Sequence, residues 1–114
     1  MIAHVVLFRP KPNLSTDERG ALVAAFARAL REIPAVRHSR VGRRITHGRG
    51  YEQLMRESYD YIAILEFDDV EGLKAYLQHP AHEELAERFF SAFETALIYD
   101  YVMKDGDAGL ADVL

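Results

Sequence analysis

Cysteine is absent from this chain of 114 residues. That excludes disulfides, thiolate metal sites and cysteine nucleophiles. Tryptophan is absent too, and no residue pattern marks a haem ligand, so a haem- or quinol-type oxygenase has little support. No apolar run is long enough to cross a membrane. The opening Met1-Ile2-Ala3-His4 lacks the basic residues and long apolar stretch of a signal peptide, and a cytoplasmic protein is expected. An excess of positive charge is lacking as well: the formal net charge of −4 argues against nucleic acid as a partner. One segment departs from that balance. Arg37–Arg56 holds Arg37, Arg40, Arg43, Arg44, Arg49 and Arg56 against Glu52, with Glu57 next in the chain. Such clusters can bind phosphate, but a solvated strand face and loop accounts for this one, and no interleaved aromatics form a base-stacking platform.

What is present suffices for one domain with its own core, not for a separate cofactor domain. The composition, 49% hydrophobic and 28% charged, is that of an ordinary globular protein. Ile2–Phe8 is apolar on both faces apart from His4, as in a central strand. Ile2, His4, Val6 and Phe8 share one face, and Ala3, Val5 and Leu7 the other. Pro10 and Pro12 end it. Ser15 and Glu18 make a capping box, and the helix that follows carries Leu22, Phe26, Leu30 and Ile33 in one stripe, with Val23 and Ala29 beside it. Pro34 stops this helix. Val36–Ile45 reads as a second strand with a polar face, Gly42 marking a bulge or bend. Thr46–Ser58 is a loop in which Tyr51, Leu54 and Met55 have the spacing of one helical turn.

Tyr59–Phe67 is the third strand, with Tyr61, Ala63, Leu65 and Phe67 on one face and Asp60, Ile62, Ile64 and Glu66 on the other. Asp68 or Asp69 caps a short helix at about Val70–Gln78. Another helix starts at Pro80 and runs to about Thr95, with Leu85, Phe89 and Phe93 or Ala92 as its apolar stripe. Ala96–Met103 is the last strand, which closes a domain of residues 1–103, and residues 104–114 read as a flexible tail. The order strand–helix–strand, strand–helix–helix–strand makes an α+β ferredoxin-like sandwich, a four-stranded antiparallel sheet with helices on one face. The other face also carries apolar residues, so a homodimer through that open face is expected.

The chemistry concentrates in Leu73–His82, LKAYLQHPAH, which puts Tyr76, His79 and His82 within seven residues. Tyrosine and histidine can move protons without a metal or an organic cofactor. Pro80 pushes His79 out of the helical region and suits the first position of a new helix. His79 is therefore read as a hinge that caps the next helix through its backbone. His82 falls in the first turn, where unpaired N–H groups and the helix dipole oppose a charged imidazole. No HExxH or carboxylate-rich motif supports a metal, and Pro80 breaks the helical continuity that an HxxH pair needs. On the last strand, Asp100 has two readings: an exposed strand-end residue, or the partner that fixes the tautomer of His82. His4 reads as a satisfied core or interface histidine or as a pocket residue. Tyr76 reads as a packing aromatic with a polar tip or as a hydrogen-bond donor to a ligand.

The segments HVVLF, IPAV, EFDD, AYLQHPAH and IYDYV resemble the stress-responsive A/B barrel domain, or Dabb, family over about residues 2–103. The YLxHPxH block is the most specific part of the match. The resemblance implies two ferredoxin-like protomers packed sheet to sheet into an α+β barrel. One branch of the family cyclises linear polyketides without a cofactor, using a histidine and a tyrosine where His82 and Tyr76 stand here. That branch supports its histidine with an aspartate matching Asp100 and lines its pocket with a histidine matching His4. Tyr61 replaces a third pocket histidine of that branch.

Two expectations follow. In the first, a homodimer binds a hydrophobic, carbonyl-bearing small molecule between sheet and helices, in a pocket walled by Leu22, Phe26, Leu85, Phe89 and Phe93. His82, Tyr76 and Asp100 then act as a cofactor-independent, polyketide-cyclase-like site. In the second, the protein is a non-catalytic homodimeric stress-response or scaffold protein whose histidines are structural.

Overall fold

A computed structural model describes all 114 residues. Strand β1 (Ile2–Pro10) is followed by α1 (Thr16–Glu32), β2 (His38–Arg43), the short α2 (Tyr51–Leu54) and β3 (Tyr61–Phe67). Then come α3 (Val70–Gln78), α4 (Pro80–Ala92), β4 (Phe93–Val102) and α5 (Gly106–Val113). The sheet order is β2-β3-β1-β4, with all neighbours antiparallel. This is the expected ferredoxin-like sandwich, with β1 central and apolar on both sides.

Local chemistry explains most boundaries. The Ser15 hydroxyl accepts from the Glu18 backbone N–H at 3.1 Å, the N-cap bond, and donates to the Glu18 carboxylate at 3.0 Å, so the carboxylate meets the hydroxyl instead of the Ser15 backbone N–H. Asp69, rather than Asp68, caps α3, its carboxylate accepting from the Gly72 N–H at 2.8 Å. Pairing of β2 with β3 runs without a bulge through Gly42 opposite Ile62. Glycine serves there because a β-carbon would stand 3.2 Å from the Ile62 methyl.

Several boundaries differ from expectation, among them the start of β3, at Tyr61 instead of Tyr59. The fourth strand begins at Phe93 instead of Ala96, straight out of α4 with no loop. Phe93 packs on Phe8 and Phe89, with ring centroids 4.6 and 4.8 Å away. That aromatic contact across the sheet holds the backbone extended where helical periodicity alone would continue. The second strand is shorter than Val36–Ile45, as befits an edge strand. Residues 106–113, part of the segment read as a tail, are helical.

α1, α3 and α4 cover one sheet face. The core joins Ile2, Leu65 and Phe67 of the sheet to Ala25, Ala29 and Ile33 of α1, Leu73 and Tyr76 of α3, and Ala81 and Leu85 of α4. Small residues on α1 and α4 let these helices approach closely, and Arg28 of α1 bonds Glu84 of α4 across their junction. Leu22, Phe26 and Leu30 of the expected stripe are only half-buried, and Val23 is 67% exposed. Leu22, Val23 and Phe26 border a cavity instead of filling the core.

Cross-strand register sets Val5 and Leu7 beside Ile62, Ile64, Leu97, Tyr99 and Tyr101 on the other face, which no helix covers. Phe67, fully buried at the centre of the core, anchors the covered face. Phe67→Ala should cost about 3–5 kcal/mol in denaturant unfolding at fixed protein concentration, since it leaves a large cavity under rigid helices.

Candidate functional site

The break at Pro80 builds the site. His79 is extended (φ −73°, ψ 140°), so α3 ends and α4 starts in a new direction. Its carbonyl accepts from the N–H groups of His82 and Glu83 at 2.9 and 3.2 Å. Its Nδ1 also accepts from the Ala81 N–H at 3.0 Å, a side-chain cap beyond the expected backbone role. The imidazole of His79 is thereby committed to structure. Tyr76, one turn before the break, and His82, in the first turn after it, then meet edge to face at 4.7 Å between ring centroids.

Tyr76 is 3% exposed, packed on Phe67 at 5.3 Å and on His4 at 5.9 Å. Burial pushes its hydroxyl up to about 12, so it stays protonated at neutral pH. His4 lies on the covered face of β1 directly opposite Asp100 of β4, and its Nδ1 is 2.6 Å from the Asp100 Oδ1. Asp100 is therefore the partner of His4, not of His82. Antiparallel register decides this, because opposed residues on neighbouring strands share a face. Nδ1 of His82 is instead buried without a hydrogen bond. Burial first, and then the nearby His4, push His82 below the ordinary histidine value, while the Leu77 backbone and Glu83 pull weakly the other way. The ring is held neutral, as its place in α4 suggested, with desolvation as the principal cause.

These groups open on a cavity of about 480 Å³ between sheet and helices. Its polar residues are His4, Tyr76 and His82; the rest is aliphatic and aromatic. Leu22, Phe26, Leu85, Phe89 and Phe93 line it, as the helical stripes suggested. Phe8, Val41, Phe90 and Ile98 line it too. Phe8 was signalled by sharing a strand face with His4, and Ile98 by sharing one with Asp100; nothing in the sequence singled out Val41. Tyr61 does not line this cavity. It stacks on Phe8 at 5.6 Å and borders a second cleft, beneath the loop before β3. No three histidine, aspartate or glutamate side chains converge as a metal-ligand set. An apolar pocket with three grouped hydrogen-bonding side chains can bind an apolar molecule and orient one polar function, such as a carbonyl, against them.

Comparison with known proteins gives this arrangement a context. The sequence profile of the stress responsive A/B barrel domain, Dabb, matches residues 2–103. Olivetolic acid cyclase of Cannabis sativa is 24% identical over 100 residues, covering 88% of this chain and 94% of the cyclase. Among solved structures, an Arabidopsis thaliana protein superposes with a TM-score of 0.77 at 22% identity, covering 94% of this chain and 99% of its own. A dimeric ferredoxin-like protein from Thermobifida fusca superposes with a TM-score of 0.69 at 20% identity and 90% coverage of both chains. With nearly its whole length matched, sandwich and HPAH block included, the chain belongs to the Dabb family of stress responsive A/B barrel domains.

Proposed function

We propose that this protein is a homodimer, closed through the open sheet face. Each protomer would bind a hydrophobic, carbonyl-bearing small molecule in the helix-side cavity and act on it as a cofactor-independent, cyclase-like lyase. The carrying observation is the grouping of His4, Tyr76 and His82 in an otherwise apolar cavity, with His82 Nδ1 buried and unpaired. A buried polar atom without a partner is costly and is a feature expected of a functional group. The similarity to olivetolic acid cyclase supports the reaction class. The uncovered apolar face, and a dimeric relative of the same fold, support the assembly.

The roles follow from protonation. Neutral His82 is the general base that takes a proton from the carbon beside a substrate carbonyl. Protonated Tyr76 donates a hydrogen bond to the enolate oxygen that forms, worth most in a dry site. The enolate carbon attacks a second carbonyl of the same molecule, and the imidazolium returns its proton to the new alkoxide. Asp100 accepts from the Nδ1–H of His4 and holds that ring at the edge of Tyr76, so Asp100 is a positioning residue acting through His4.

On a panel of linear β-polyketo acids, His82→Ala should lower turnover by roughly 100-fold or more while the protein still melts cooperatively. A lowered Tm with turnover unchanged would make the histidines structural. His82 also predicts a pH effect on stability. Its folded value lies below the 6.5 of an unperturbed histidine, so as pH falls the unfolded chain takes up the proton first. The stabilisation from the neutral ring is complete above 6.5 and drains away as pH drops through 6.5 towards the folded value. His82→Gln should therefore lose less unfolding free energy than the wild type between about pH 8 and about pH 5, measured by urea titration at fixed concentration.

A further inference from the structure

Helix α5 lies outside the residues that the family profile matches, and its large apolar side chains are left exposed. Of its residues only Gly109 is buried, against Lys104, where a β-carbon would sit 2.7 Å from the lysine β-carbon. Leu110 and Val113 are 57% and 55% exposed. Eight residues that include two glycines do not hold a helix in water unaided; helices this short depend on a surface that buries their apolar side. The segment is also acidic, with Asp105, Asp107 and Asp112 against Lys104.

A surface of matching chemistry exists on the same chain. The cleft beneath the loop before β3 holds about 470 Å³ and is bordered by Arg43, Arg44, Ile45, Tyr51, Met55 and Ile62, among others. Ile45, Tyr51 and Met55 are 77%, 58% and 56% exposed. Arg43 has no ion pair or hydrogen bond from its side chain, whereas the two cleft carboxylates are engaged: Glu52 by the His47 and Gly48 N–H groups, Glu57 by Arg9. The cleft thus presents an apolar floor with free positive charge.

The same chain's α5 leaves from the wrong end to reach it. β4 ends with Val102 opposite Ile2, whereas the cleft borders Leu7 opposite Ile62, about 17 Å further along the sheet. Leu7 and Ile62 belong to the open face, so the cleft is continuous with the surface that a second copy would cover.

We propose that α5 of one protomer docks into the Arg43–Met55 cleft of a second copy of this chain, setting Leu110 and Val113 on its apolar floor and Asp107 near Arg43. The two-fold axis then runs across the strands, bringing the Val102 end of each sheet over the Leu7 end of the other. The arginine-rich segment, which the small-molecule site leaves unused, becomes an assembly device. This rests on the face-to-face dimer proposed above.

The absence of cysteine makes the test clean. Full-length chains carrying Leu110→Cys are mixed with chains carrying Met55→Cys, both at exposed positions, and treated with a short bis-maleimide, while sedimentation reports the oligomeric state. A cross-linked heterodimer from the mixture, with neither variant linking to itself, is the expected result. A dimer in sedimentation with no heterodimer link, or with Leu110→Cys linking to itself, overturns the docking while leaving the face-to-face dimer intact. A monomer in sedimentation overturns that dimer reading as well. Leu110→Glu should raise the dimer dissociation constant by roughly tenfold, the scale of one lost aliphatic anchor, and an unchanged constant counts against the docking.

Discussion

A proline ring that cannot continue a helix organises this molecule. Pro80 has no N–H to donate and excludes helical backbone from the residue before it, so the chain must stop at His79 and start again. Without that stop, Tyr76 and His82 would be six residues apart on one helix, more than a turn and a half, and would face different directions. With it, their rings touch, and both lie over the β1 position occupied by His4. The junction is stabilised twice, by the His79 carbonyl and by its ring nitrogen, so the Nδ1 of this histidine is committed to the cap.

The cavity depends on an uneven distribution of residue sizes. Ala25, Ala29 and Ala81 are almost fully buried and let the helices come together. Leu22, Phe26 and Phe89 remain half-buried because they stand around empty space. Placing polar groups in so apolar a setting has the electrostatic consequence seen at both ends of the Tyr76–His82 pair: desolvation favours the neutral form of each. A neutral acceptor and a neutral donor therefore sit side by side, the state in which both can work on a carbonyl.

Much of this was legible in the residues. The short, almost wholly apolar run Ile2–Phe8 identified the central strand, and the Ser15 cap located the start of α1, because both signals are local. The end of α4 was not legible. Phe93 continues the helical stripe in sequence, and only Phe8, from the far end of the chain, draws it into the sheet. Helix α5 was missed for the opposite reason: its two glycines and short length argue against a helix, and nothing nearby in sequence supplies the surface it needs. Asp100 was recognised as needing a partner, but that partner was read as His82; only strand register, which sets Asp100 opposite His4, corrects it.

The sequence by itself determined the order of the elements through β4, the sandwich and the family, and it singled out Tyr76 and His82 as candidate side chains, since these follow from periodicity, caps and the HPAH block. The tertiary structure decided which of those side chains meet. It paired Asp100 with His4 through antiparallel register, left the His82 Nδ1 unpaired beside the apolar cavity, and moved Tyr61 out of it. Periodicity specifies which face a side chain occupies, but a partner is chosen by the register between strands distant in the chain, and no local pattern encodes that distance.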